Sequence, residues 1–190
     1  MRTERGIAGA HVALLRGINV GKAKRVAMAD LRALVAGLGY RDVRTLLNSG
    51  NVVFTVPRGA RGDPAARIEQ AIAKKIGVSS RVTVLTAAEL ATVVRENPLG
   101  KVAQDPSRLL VAVLTNPADR AKLAPLAKQD WGAEALAIGT RVAYLWCPRG
   151  QLESPVAKAV FQLLGDAVTT RNWATITKLH VLSGEVPAGP

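Results

Sequence analysis

Two short apolar stretches, Val43–Leu47 and Val52–Val56, flank the four consecutive turn formers Asn48-Ser49-Gly50-Asn51, and this pattern predicts an antiparallel hairpin. A helix-period segment stands on each side. Before the hairpin, Met28, Leu31, Leu34, Val35 and Leu38 recur at helical spacing and Gly39 supplies a stop. After it, Asp63-Pro64 reads as a cap followed by a first-turn proline, Ile68, Ile72 and Ile76 share one face, and Gly77 ends the run. A hairpin lodged between two helices excludes a sheet built only from parallel crossovers. With strands at His11–Leu15 and Arg81–Leu85, the order becomes β-α-β-β-α-β.

That order is the split β-α-β of ferredoxin-like domains, and it predicts the strand arrangement fourth, first, third, second. Thr86-x-x-Glu89 then reads as a capping box for a connecting helix, which Asn97-Pro98 ends. The polar stretch from Pro98 to Ser107 is the boundary candidate. Beyond it come a strand at Leu109–Leu114, a helix opened by Asn116-Pro117 with Pro125 inside it, and a hairpin of Ala135–Ile138 with Val142–Trp146 around Gly139-Thr140. Ser154-Pro155 opens another helix, and Thr170 reads as the cap of a last one through Trp173, Ile176 and Leu179. The expected fold is therefore α+β with two ferredoxin-like lobes, residues 1–97 and 98–190. Each lobe carries an antiparallel sheet, and the second is a partial repeat with an extra C-terminal helix.

Chemistry concentrates where the first strand ends. His11–Leu15 gives way abruptly to Arg16, Gly17, Asn19, Gly21, Lys22, Lys24 and Arg25, a basic, glycine-punctuated loop that leads into a helix. Glycines let such a loop bring its backbone N–H groups close to an anion. The spacing matches neither G-x-G-x-x-G nor G-x-x-x-x-G-K-[ST], so no nucleotide motif is satisfied. In the predicted topology the end of the first strand, the end of the second and the start of the third share one edge. Arg16–Arg25 and Asn48–Asn51 are thus expected as neighbours, with Lys74-Lys75 beside them. As turn formers, Asn48, Ser49 and Gly50 are also explained by the hairpin alone.

The formal net charge of +12 sharpens this picture. Residues 1–97 hold 16 Lys/Arg against 7 Asp/Glu, a net of +9, while residues 98–190 hold 10 against 7, a net of +3. Nucleic acid or a phosphorylated small molecule would suit that field. Arginine outnumbers lysine 17 to 9 and alanine is abundant, so a GC-rich coding bias is the competing explanation. One cysteine, Cys147, excludes an internal disulfide and a multi-cysteine zinc site; no metal spacing and no cofactor motif is present. With no apolar run of membrane length and no signal-like start, the expectation is a cytoplasmic, bacterial protein without a membrane partner.

Several blocks of this chain resemble one bacterial family, domain of unknown function 1697 (DUF1697). They are L-L-R-G-I-N-V-G at Leu14–Gly21, N-S-G-N-V-V-F at Asn48–Phe54, Asn97-Pro98, Y-L-x-x-P-x-G from Tyr144 to Gly150 with Ser154, and T-R-N-W at Thr170–Trp173. The resemblance implies an α+β fold of two ferredoxin-like lobes and no established activity. Two positions depart from the family pattern: Lys22 stands where a second glycine is common, and Ala174 where asparagine often follows T-R-N-W.

Three functions remain open from the sequence. The first is a phosphate- or anion-binding module for nucleic acid or nucleotide, with Arg16, Asn19, Lys22, Lys24, Asn48, Ser49, Asn51, Arg171 and Asn172 as ligand-binding residues. The second is an enzyme using the same groups on a small phosphorylated or carboxylated substrate in a cleft between lobes. The third is an interaction protein whose polar loops are structural. Catalytic machinery is thin: His11 and His180 read as structural, Cys147 as a buried thiol, and Ser49 lacks an identifiable base. Stacking of single-stranded nucleic acid on a sheet face would need more aromatics than Phe54.

Overall fold

A computed structural model describes residues 9–20 and 24–184. By contact density the chain divides into two units, residues 1–88 with 179–190, and residues 89–178. The first unit holds β1 (Gly9–Leu15), α1 (Met28–Gly37), β2 (Arg41–Leu46), β3 (Asn51–Val56), α2 (Pro64–Ile76) and β4 (Val82–Thr86). Its sheet has the order β2-β3-β1-β4, all antiparallel, as the element order predicts. The alternation of β1 sends Ala13 and Leu15 into one core with Val52, Phe54 and Val82, on which Leu31, Leu34 and Val35 of α1 and Ile68 and Ile72 of α2 are packed.

Local signals explain the helix ends. Asp63 accepts from the Ala65 and Ala66 amides at 3.3 and 3.1 Å, Pro64 takes the first turn, and Gly77 closes α2 at φ 75°. Helix α1 lacks a side-chain cap at Ala27 and a basic residue in its last turn. Arg67 of α2 makes up for the second: its Nη2 donates to the Leu38 carbonyl at 2.8 Å, beneath the Tyr40 ring contact at 5.2 Å. Phe54 lies in this core against Tyr40 and His11, so it is unavailable for base stacking. The opposite face of the sheet is closed too, since Val12, Leu14, Val53 and Leu85 are all fully buried.

The second unit holds most of α3 (Ala87–Arg95), then β5 (Leu109–Leu114), α4 (Ala124–Ala127), β6 (Ala135–Ile138), β7 (Val142–Trp146), α5 (Pro155–Leu164), β8 (Val168–Asn172) and the start of α6 (Trp173–Gly184). Its sheet order, β6-β7-β5-β8, repeats that of the first unit strand for strand. One expectation is corrected here. Thr170 does not cap the last helix; it lies in β8, paired with Ala112, and the repeat gains its fourth strand. The β-branched run Val168-Thr169-Thr170 suits a strand better than a helix start, and the cap is Asn172, whose Oδ1 accepts from the Thr175 amide at 2.9 Å. The helix expected after Asn116-Pro117 begins as a 3₁₀ segment, Pro117–Leu123, and only one α turn, α4, follows, with Pro125 within it.

Leu110, Ala112, Leu114, Ala143 and Leu145 form one face of this sheet, under Val156, Ala157 and Val160 of α5. On the alternate face Tyr144 is buried and its hydroxyl donates to the Val93 carbonyl of α3 at 2.7 Å. Burial pushes its phenol up to about 12, with the Glu96 charge adding to the effect, and burial also raises Tyr40. The chain has two tyrosines. A folded-state pKa above the unfolded value of about 10 means stability is complete below pH 10 and is lost as pH rises toward 12. An absorbance titration at the tyrosinate band should therefore show the Tyr144 phenol still protonated at pH 10.5, and both phenols ionising later than a free tyrosine, followed by cooperative unfolding. Half-titration of either tyrosine at pH 10 in the folded protein would contradict this.

Candidate functional site

At the end of β1 the polar loop and the hairpin turn meet as the topology predicts. The Leu15 amide donates to the Gly50 carbonyl and the Arg16 amide to the Arg81 carbonyl, both at 2.8 Å, while Ser80 Oγ donates to the Arg16 carbonyl at 2.9 Å. Asn19 sits at φ 55° and uses its whole amide. Its Oδ1 accepts from the Val26 amide at 2.9 Å, and its Nδ2 donates to the Val26 carbonyl at 2.9 Å and the Asn48 carbonyl at 2.7 Å. The Asn19 amide nitrogen also donates to the Lys24 carbonyl at 3.0 Å. One side chain thus closes the loop and staples it to the hairpin. Asn51 is fully buried and donates to the Leu46 carbonyl at 2.8 Å and Ser49 Oγ at 3.0 Å.

Asn19 and Asn51 are therefore clasps. What they hold open is a groove of about 440 Å³ lined by Asn19, Arg25, Val26, Ala27, Met28 and Asn48. Among the described residues, neither the Arg25 guanidinium nor the Asn48 carboxamide has a hydrogen-bond or ion-pair partner. Lys24 is exposed on the same loop, and Lys22 lies outside the described residues. Lys74 and Lys75 do not line the groove; the Lys75 ammonium stands against Gly37 of α1, 3.8 Å from where a Cβ would be. Among the described residues, three of the four non-glycine residues with positive φ, Asn19, Lys24 and Leu47, belong to this loop and turn. Backbone held in that region costs about 1–3 kcal/mol per residue and collects at functional sites. Sequence reading selected most of this edge but left Arg25 out of the ligand set, though it lies in the same basic run.

Arg171 and Asn172 lie elsewhere, in the second unit, at a groove of about 360 Å³ lined by Ser107, Arg108, Leu110, Gly150, Gln151, Thr170, Arg171 and Asn172. Arg171 Nη1 donates to the Thr170 carbonyl at 2.8 Å and Thr169 Oγ1 at 3.3 Å, and burial pushes the guanidinium down to about 10. Asn172 has its Oδ1 committed to Thr175, whose hydroxyl donates to it at 2.7 Å. Arg108 and Gln151 were not selected from sequence. The available signal was Gly150, which at φ 96° passes so close to Arg108 that a Cβ would stand 2.5 Å from Nη1.

Reactive groups are elsewhere engaged. His11 Nδ1 bonds the Gly9 carbonyl at 2.7 Å and its ring stacks on Phe54. Cys147 is fully buried, and burial together with the Glu134 charge raises its thiol while the Ser154 hydroxyl pulls it back in part. Among the described residues no group of three or more His, Cys, Asp or Glu could hold a metal ion. No helix among them is long and apolar enough to cross a membrane.

The fold and its grooves define a class: an α+β protein of two ferredoxin-like halves, with a stapled basic loop in the first and an arginine-lined groove in the second. The chain belongs to the family described as protein of unknown function (DUF1697), whose profile matches residues 9–144. Its fold is that of the conserved bacterial protein SP0830 from Streptococcus pneumoniae. That structure superposes with a TM-score of 0.75 at 22% identity, covering 91% of this chain and 97% of the other. Among curated proteins, none matches.

Proposed function

We propose that the chain is a phosphate-recognising binding module for nucleic acid or nucleotide, engaging its ligand at the end of β1. The observation that carries this reading is the groove in which Arg25 and Asn48 have no side-chain partner among the described residues, while Asn19 ties the loop to the turn and Asn51 fixes that turn. Arg25 supplies a planar donor pair for a phosphate and Asn48 a carboxamide for a base or sugar edge. Lys24 extends the field along the loop, Arg16 adds charge at its start, Ser49 stands at the turn, and Lys22 adds a formal charge in the same stretch of sequence. The net of +9 over residues 1–97 is opposite in sign to a phosphate-bearing ligand and would attract it. Both faces of the first sheet are buried, so recognition runs through loop and backbone-phosphate contacts rather than base stacking.

A thermal-shift series against nucleotides, sugar phosphates and short DNA and RNA tests this at two salt concentrations. A native-state ligand raises the melting temperature with its concentration. For an oligonucleotide the affinity should fall with a log–log salt slope of about −0.7 to −0.9 per phosphate contacted. Arg25→Gln and Asn48→Ala should each abolish most of the shift while leaving the unliganded melting temperature within about 1 °C, as expected of exposed positions. Equal shifts in wild type and both variants would refute the site.

A further inference from the structure

We propose that the ligand at the β1 loop is a nucleic-acid strand, whose sugar-phosphate backbone leaves the groove along the seam between α1 and β2, with Arg25 on one phosphate and Arg32 on the next. This rests on the groove reading above and goes beyond it, because Arg32 and Thr45 are not among the residues that line the groove.

Helical period and strand register fix the path. Met28 lines the groove and Arg32 follows it by four residues, so the two share one face of α1, about 6 Å apart along its axis. On the neighbouring strand Thr45 pairs with Val52, a member of the core under α1 and α2, so Thr45 stands on the helix side of the sheet. Arg32 Nη1 donates to Thr45 Oγ1 at 2.7 Å, which lays the arginine across the seam. The turn carrying Asn48 follows β2 directly, so the seam opens into the groove. Arg32 is exposed and the Thr45 bond is its only one among the described residues, so most of its N–H donors remain open.

Carboxylates are kept off this side. Residues 9–88 contain four: Asp30, Asp42, Asp63 and Glu69. Asp30 lies about 160° around α1 from Arg32. Asp42 accepts from the Thr55 hydroxyl at 3.1 Å on the far face of the sheet, Asp63 caps α2, and Glu69 holds the Val82 amide and pairs with Arg81. The register sends Arg41 and Arg44 to that far face as well, opposite Thr55 and Val53, so they take no part in the seam. A guanidinium at the groove and another one helical turn further on suit successive phosphates of one strand, and the Thr45 hydroxyl adds a polar group beside the second. Phe54 and Tyr40 are buried and offer no stacking surface there, so the contact is to backbone and is independent of base sequence.

The test is a fluorescence-anisotropy titration of the full-length protein with a labelled mononucleotide and a labelled single-stranded oligonucleotide of mixed sequence, each over a range of salt. The oligonucleotide should show the steeper salt dependence. Arg32→Gln should weaken it about tenfold and reduce its log–log salt slope by about 0.7, the share of one single-strand phosphate, with mononucleotide affinity unchanged. Its melting temperature should stay within about 1 °C of wild type, as expected of an exposed position, and Arg32→Lys should restore the slope. Arg61→Gln removes the same charge from the exposed loop after β3, at the other end of the sheet, and should leave the slope in place. Arg25→Gln should weaken both ligands. If it does and Arg32→Gln weakens neither, the groove stands and the strand path falls; if Arg25→Gln weakens neither, the groove falls too. An Arg61→Gln effect equal to that of Arg32→Gln would assign binding to net charge alone and would also overturn the path.

Discussion

Gly50→Ala should lower the melting temperature by roughly 5–15 °C, through a cost of roughly 2–5 kcal/mol at about 2–4 °C per kcal/mol for a chain of this size. Two independent penalties act at that position. Gly50 sits at φ 81°, where an L side chain costs roughly 1–2 kcal/mol. Its Cβ would also stand 2.7 Å from Leu15 Cβ and 2.8 Å from Ile18 Cδ1, and both of those residues are buried in the core of the first unit. A Cβ cannot swing aside as a long side chain can, so the backbone must move, and overpacking of this kind costs about 1–3 kcal/mol. Gly17→Ala is the matched control, because Gly17 has φ 66° with no heavy atom within 4 Å of a Cβ. It carries the conformational penalty alone and should shift the melt by about 2–8 °C. Equal shifts for the two variants would show that the close approach at Gly50 is not there.

Asn51→Asp should be at least as damaging at neutral pH, and its damage should depend on pH. The Asn51 amide is fully buried, with its Nδ2 aimed at the Leu46 carbonyl and Ser49 Oγ. An ionised carboxylate there keeps the shape, loses both donors and faces a carbonyl oxygen at donor distance. A buried, unpaired charge costs several kcal/mol, so about 3–5 kcal/mol is expected at pH 7. The new carboxyl group escapes by holding a proton, so its folded-state pKa rises above the unfolded value of about 3.9. The folded form then binds more protons than the unfolded one between those two values. The penalty is complete above the folded pKa and shrinks as pH falls through it, where the protonated group regains one donor. Melting curves of wild type and variant should converge between pH 7 and pH 4. A gap independent of pH would mean the position is solvated.

Much of the architecture was legible because local signals agreed with one another. Asp63-Pro64 and Gly77 bracket α2, Leu109–Leu114 is β5 as read, and the hairpin lodged between helices fixed the strand order of the first sheet. The misreading at Thr170 came from treating a threonine before an apolar helix as a cap, when β-branched neighbours and a vacant edge beside β5 made it a strand. Leu47 was read as the end of the second strand; it lies in the turn instead, at φ 57° and half exposed, a conformation that no periodicity reveals. The meeting of the loop and hairpin was legible from topology alone. The use to which Asn19 is put was not, because three bonds from one amide depend on where Val26 and Asn48 come to rest in space. In the second groove Arg171 and Asn172 were selected from sequence but Arg108 was not, since it lies at the end of a paired strand far away in the chain.

The position of β1 at the centre of its sheet bears on how the chain is made. Both partners of β1 come later, β3 at Asn51–Val56 and β4 at Val82–Thr86. During synthesis at about 5–20 residues per second, the apolar Val12–Leu15 segment leaves the ribosome several seconds before β4 can flank it. The same holds in the second unit, where β5 precedes both β7 and β8. In each half an interior strand of the sheet is the first one born, and its apolar residues wait for both flanking strands to be made.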